Sequence, residues 1–277
     1  MRMIKQRLGY LALASSVLLA GASASVQAHP MWILPSEFSI SGDASQWLTF
    51  DVTASHAVFG FDKGVSADNI EVTSPDGDQN RLGSFFKGHR RSVFDVELTQ
   101  EGTYRVQGQR PPFYFTSYKS GKRDTPKRMM ADKINAKDKL PADARDIKTE
   151  LIDMSTVVYV SRNAPTDTVF KPKGKGLELT PVTHPNDIVR GEEASFILSL
   201  HGEPVAGVEV EITPGGTRYR NDRNSIKLTT DASGEVNFTP KQAGPWLMYA
   251  ALAAPSDSPL ADEVWSGRYL TFEVILE

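Results

Sequence analysis

The sequence predicts an all-β chain built mainly from two β-sandwich domains, on the strength of short alternating apolar runs and regularly spaced turn residues between them. Leu48, Phe50 and Val52 alternate with Trp47, Thr49 and Asp51, and Phe94, Val96 and Leu98 alternate with charged neighbours. A period of two places one set of side chains on one face of a strand. Ser41-Gly42-Asp43, Pro75-Asp76-Gly77-Asp78, Gly88 and Glu101-Gly102 punctuate these runs as turns. Short strands at such spacing predict a sandwich over 29–118.

The pattern returns in the C-terminal part. Phe196, Leu198 and Leu200 alternate, as do Val208, Val210 and Ile212, then Val236 and Phe238, then Leu270, Phe272, Val274 and Leu276. Gly202-Glu203-Pro204 and Asp231-Ala232-Ser233-Gly234 read as hairpin turns. These features predict an immunoglobulin-like sandwich over 176–277, with Phe196, Leu198, Val208, Val210, Phe238 and Trp246 in its core. The chain has no cysteine, so both cores must rest on buried apolar area.

Between the two, Lys119 to Glu150 is a dense mixture of Lys, Arg and Asp with few large apolar residues. A charged insertion or linker, helical or irregular and largely exposed, is expected over 119–153. Pro126 stands at a plausible first-turn position for a helix running to Lys137. The run Val157-Val158-Tyr159-Val160 is strand-like, and 154–161 is expected to close the first domain.

Residues 1–28 read as a secretory signal peptide. Arg2, Lys5 and Arg7 precede an apolar, small-residue stretch from Leu11 to Ala24, with Val26 and Ala28 before a cut expected after Ala28. The apolar stretch is shorter than the ~20 residues of a membrane-spanning helix, and no cysteine follows it to carry a lipid. A soluble periplasmic protein is the expectation. Losing Arg2, Lys5 and Arg7 would take the formal charge from −3 to −6, which argues against nucleic acid as a partner.

Several strings carry a family resemblance. GLELTPVTHPNDIVRGEEASFIL, GEPVAGVEVEI and TTDASGEVNFTPKQAGPWLMYAAL, with AHPMWILPSEF and LTFDVTASHAVFGFDK before them, resemble a bacterial periplasmic family of unknown domain function, the periplasmic component of cobalt- or nickel-type transport. The likeness covers nearly the whole mature chain. It implies metal handling in the periplasm beside a membrane transporter, and it picks out His56.

The residues allow a chemical reading of their own. Cleavage after Ala28 would make His29 the first residue, where one free amine and one imidazole can chelate a single ion. A second imidazole would complete the three-nitrogen histidine brace, which suits copper and can serve nickel, cobalt or zinc. Pro30 has no amide proton, so the rival motif of successive backbone-amide ligands is blocked. An α-amine with a pKa of about 7.7 to 8.0 loses only about 1 kcal/mol to proton competition near pH 7. Equally, some residue must stand first after any such cut, and His29 can simply be that residue.

His56, in Ala-Ser-His-Ala-Val-Phe, is the candidate third nitrogen; its bland reading is a satisfied histidine at a strand end. His89 lies in a basic turn, Lys-Gly-His-Arg-Arg, that repels cations. His184 and His201 read as exposed turn residues. Met31 and Glu37 are weaker ligand candidates, a soft thioether and an oxygen donor, that read more simply as packing and surface charge.

Asp76-Gly77-Asp78 lacks the acid of a calcium loop, since Lys87 stands at its position. No zinc-protease, nucleophile-elbow or phosphate-loop motif occurs, Gly174-Lys175-Gly176 being too short. Pro111-Pro112-Phe113-Tyr114-Phe115 with Tyr118 is an aromatic cluster that reads as core packing before it reads as a binding surface. The function expected is non-enzymatic binding or delivery of nickel, cobalt, copper or iron through His29 and His56. The alternatives are a copper histidine-brace oxidase or monooxygenase and a structural immunoglobulin-like interaction module.

Overall fold

The computed structural model describes residues 30–277. Its main strands are β1 (Met31–Pro35), β2 (Gln46–Ala54), β3 (Ile70–Thr73), β4 (Ser92–Leu98), β5 (Gly102–Lys119), β6 (Arg145–Arg162), β7 (Leu177–Pro181), β8 (Ala194–Leu200), β9 (Glu209–Pro214), β10 (Ile226–Thr229), β11 (Glu235–Phe238), β12 (Gly244–Pro255) and β13 (Glu263–Ile275). The chain is all-β, as its alternation predicts. One long sheet runs β10-β9-β12-β13-β6-β5-β3, and two small sheets, β1-β2-β4 and β7-β8 with β11, complete two sandwiches.

The two small sheets cover opposite faces of the long one. On β6 the even positions Val158 and Val160 join a core with Phe50, Phe94, Val96, Tyr104 and Val106. The odd positions Val157 and Tyr159 join the other core, with Phe196, Phe238, Trp246 and Phe272. This explains why the run from Val157 to Val160 is apolar without alternation, since a strand buried on both faces has no solvent side. The six core residues expected in the C-terminal immunoglobulin-like sandwich are all buried.

β6 also joins the two halves through its backbone. It pairs antiparallel with β5 and parallel with β13, Glu150 opposite Glu263 through Val158 opposite Thr271. The segment 119–153, expected to be helical or irregular, is therefore partly strand. Arg145 to Asp153 belongs to β6, and Lys127–Met129 adds a short strand to β5. Only Lys133–Lys137 is helical, capped by Asp132, whose carboxylate accepts the amides of Ile134 and Asn135. Its charged composition hid the strand, because the charges pair along and across strands: Lys119 with Asp146 at 2.9 Å and Lys148 with Glu263 at 2.7 Å. Pro111 and Pro112 sit in β5 at a register shift, where two residues face the single Asp153. A bulge is where a sheet tolerates residues that cannot donate to the ladder.

Candidate functional site

His29 lies outside the described residues, and His56 lies on the turn that follows β2. The alternation of β2 ends at Ala54, and Ser55 begins a fixed reversal. The backbone N–H of Ser55 donates to the carbonyl of Pro30 at 2.8 Å. Its hydroxyl donates to Oδ2 of Asp62 at 2.8 Å, and the His56 amide donates to the same oxygen at 3.1 Å. Gly60 N–H closes the turn on the Ala57 carbonyl at 2.8 Å, and Phe59 adopts a positive φ of 55°. That conformation is strained for a bulky residue and persists only where packing imposes it. The packing is visible: the Phe59 and Phe61 rings both stand edge-on to Trp32 at 5.5 Å, and Val58 is buried with them.

His56 is exposed, while its neighbours on both sides are tied down. The Ser55 hydroxyl and then the His56 amide hold the Asp62 carboxyl below the ordinary carboxylate range, with smaller help from Arg90. Arg90 also donates from Nε to the Phe61 carbonyl at 2.8 Å. This arginine, read in the sequence only as part of a basic turn, is thus a brace of the His56 turn. Its contact with residues 61–62 had no signal in the local sequence.

The other histidines separate clearly. His89 is exposed at the hairpin before β4, next to Arg90. His201, with φ 55°, and Gly202, with φ 87°, form the two-residue turn between β8 and the short strand Glu203–Pro204. His184, expected to be exposed, is half-buried, because its ring fills the seam between the two halves. Its Nδ1 accepts the Asn186 amide at 3.0 Å, so Nε2 carries the proton and faces the Thr103 hydroxyl at 2.9 Å and the Thr166 carbonyl at 3.3 Å. Burial lowers its pKa, with the Thr166 carbonyl opposing. Met31 is buried in β1 and Glu37 is exposed. Phe113 and Phe115 pack edge-to-face at 5.2 Å against the cluster around Trp32.

Among the described residues no group of three or more His, Cys, Asp or Glu is placed to hold a metal ion. No helix among them is long and apolar enough to cross a membrane.

The family described as "Domain of unknown function (DUF4198)" matches residues 26–254. The chain belongs to this family. No curated protein matches the sequence. Among solved structures, the chain is similar to the D0-D1 domain of Intimin at 12% identity, covering 88% of this chain and 97% of that one with a TM-score of 0.21. It is similar to the Yersinia pseudotuberculosis adhesin InvE at 10% identity, covering 87% and 58% with a TM-score of 0.22. A DUF3823 family protein from Bacteroides uniformis matches at 13% identity, covering 90% and 100% with a TM-score of 0.24.

Proposed function

We propose that this DUF4198 protein is a periplasmic metal-binding or metal-delivery protein, serving uptake of nickel or cobalt, or of copper or iron, and that His29 and His56 hold the ion. One observation carries the reading: the 2.8 Å hydrogen bond from Ser55 N–H to the Pro30 carbonyl. It joins the residue before His56 to the residue after His29. That neighbourhood of Pro30 and Ser55 supports a ligand role shared by His29 and His56.

The surroundings support a ligand role for His56. Its turn is fixed by Asp62, Arg90 and the Trp32 cluster, and the residue is exposed. A turn whose backbone is already fixed loses less freedom on binding, which favours affinity. When bound, a divalent ion would supply charge and exchangeable coordination positions, and the protein would supply a neutral imidazole. The amine of His29 exists only after cleavage, so binding would be confined to the processed chain.

The test is a titration of copper, nickel, cobalt and zinc into the protein beginning at His29 and into one with a single Gly added before it. The added residue converts the amine into an amide and leaves every imidazole in place. Tight binding lost on extension, and lost again in His56→Ala but not in His89→Ala, is the expected result. Equal affinities with and without the Gly would remove the brace. Reductant-dependent oxygen consumption by the copper form would point to an oxidase instead of a carrier.

A further inference from the structure

A second site lies away from His56, on the face of the long sheet that looks toward β7. A groove of about 410 Å³ has β5 and β6 as its floor, with β7 and the segment before it as its wall. The volume falls in the range of small-molecule sites. Cross-strand register sets the floor. Arg105 stands opposite Tyr159, Gln107 opposite Val157, and Gln109 opposite Ser155. Ser155 is in turn level with Arg268 of β13.

The groove is rich in uncommitted positive charge, although the chain as a whole is acidic. Arg105, Lys171, Lys173 and Lys175 line it, and none of the four forms an ion pair among the described residues. The Arg105 Nε–H is buried with no hydrogen-bond acceptor. Its two acids are already engaged. Asp153 pairs through Oδ2 with Arg268, and Glu178 accepts the amides of Lys173 and Gly174 at 2.7 and 2.8 Å. The other Asp153 oxygen, Oδ1, is buried without a donor.

We propose that this groove binds a hydroxylated polycarboxylate. A buried guanidinium N–H without an acceptor is costly until an anion meets it, and carboxylate matches its planar fork. Arg105 belongs to the floor of the groove and the three lysines to its wall, so the cations come from two sides, which suits several carboxylates on one molecule. The amides that could cradle a phosphate are taken by Glu178. Gln107, Gln109 and Ser155 offer neutral donors and acceptors for hydroxyl groups, and Asp153 Oδ1 is an acceptor waiting for a hydroxyl proton. The proposal is independent of the metal site.

Calorimetric titration of metal-free protein with citrate, trigalacturonate and inorganic phosphate tests it. Saturable binding of citrate or trigalacturonate, weakened by salt, is expected; a preference for citrate assigns a free small acid, and a preference for trigalacturonate assigns an acidic glycan. Arg105→Gln should weaken that binding about 10-fold or more. The loop variant Lys171→Ala with Lys173→Ala, which leaves the sheet untouched, should weaken it several-fold, while Lys227→Gln on a distant strand should not. Phosphate binding as tight as the best carboxylate, no saturable binding of either carboxylate, or full affinity in both the Arg105 and lysine variants would overturn the proposal.

Discussion

Val157 and Val158 are adjacent in sequence and belong to different hydrophobic cores: Val157 packs toward Phe272 and Val158 toward Phe50. Since one strand carries both cores, the halves should not melt separately. Calorimetry and far-ultraviolet dichroism should report one coincident transition. Phe50→Ala, made only in the N-terminal core, should lower that whole transition at a cost of about 3–5 kcal/mol. Two resolved transitions, with only one shifted by the variant, would show that β6 does not couple the cores.

Arg162 is buried, and its guanidinium donates to the carbonyls of Gly42, Asp43, Ala44 and Thr99 at 3.0–3.4 Å. Arg162→Ala removes a buried guanidinium that ties these loop carbonyls to β6, although Asn163 still donates to Gly42 and Gln46 to Ala44, and should destabilise the fold by about 1–3 kcal/mol. Arg162→Lys should recover only part of this, because one ammonium cannot span four carbonyls. Denaturant midpoints of the three proteins measure the effect, and a neutral Arg162→Ala would mean that water replaces the guanidinium.

His184 gives the stability a pH dependence of known sign. Burial lowers its folded pKa, so the unfolded chain binds the proton more readily. Its contribution is fully present above the ordinary histidine value of about 6.5 and is lost as pH falls through the lower folded value. His184→Asn should flatten the stability profile in this window. An unchanged slope between the two proteins would assign the dependence to other groups.

On the proposed metal reading, Asp62 should affect binding without touching the ion. Asp62→Ala frees the Ser55 hydroxyl and the His56 amide, and by analogy with supporting residues at other metal sites it should lower affinity about 10-fold or more. Because the folded Asp62 carboxyl lies below its ordinary range, the order that it imposes is present above the unfolded carboxylate value and fades as pH falls through the folded one. The stabilities of the wild-type and Asp62→Ala proteins should therefore converge as pH falls through that window. Identical affinities in the wild-type and Asp62→Ala proteins would make the carboxylate incidental.

Much of the fold was legible because burial on one face leaves a period of two. Leu48, Phe50 and Val52 announce β2, and Leu270, Phe272 and Val274 announce β13. Arg145 to Asp153 was not legible, since its charges find partners on other strands that local sequence does not show. His56 could be singled out by its setting, but Asp62 and Arg90 reach its turn only through tertiary contact. The lysines at 171, 173 and 175 were in plain view. What gives them meaning is Arg105 on a strand far earlier in the chain, and only the fold sets them side by side.

The parallel pairing of Glu150–Val158 with Glu263–Thr271 has a consequence for biogenesis. Until β13 emerges, β6 is an open edge with apolar side chains on both faces. The C-terminal core, which takes Leu270, Phe272 and Val274 from β13, cannot then be sealed during synthesis, and contacts of such large sequence separation form slowly. The C-terminal sandwich therefore closes only once β13 is available. Truncating β13 should therefore leave the β6 edge unpaired, with Val157 and Tyr159 deprived of their core, and prone to edge-to-edge association.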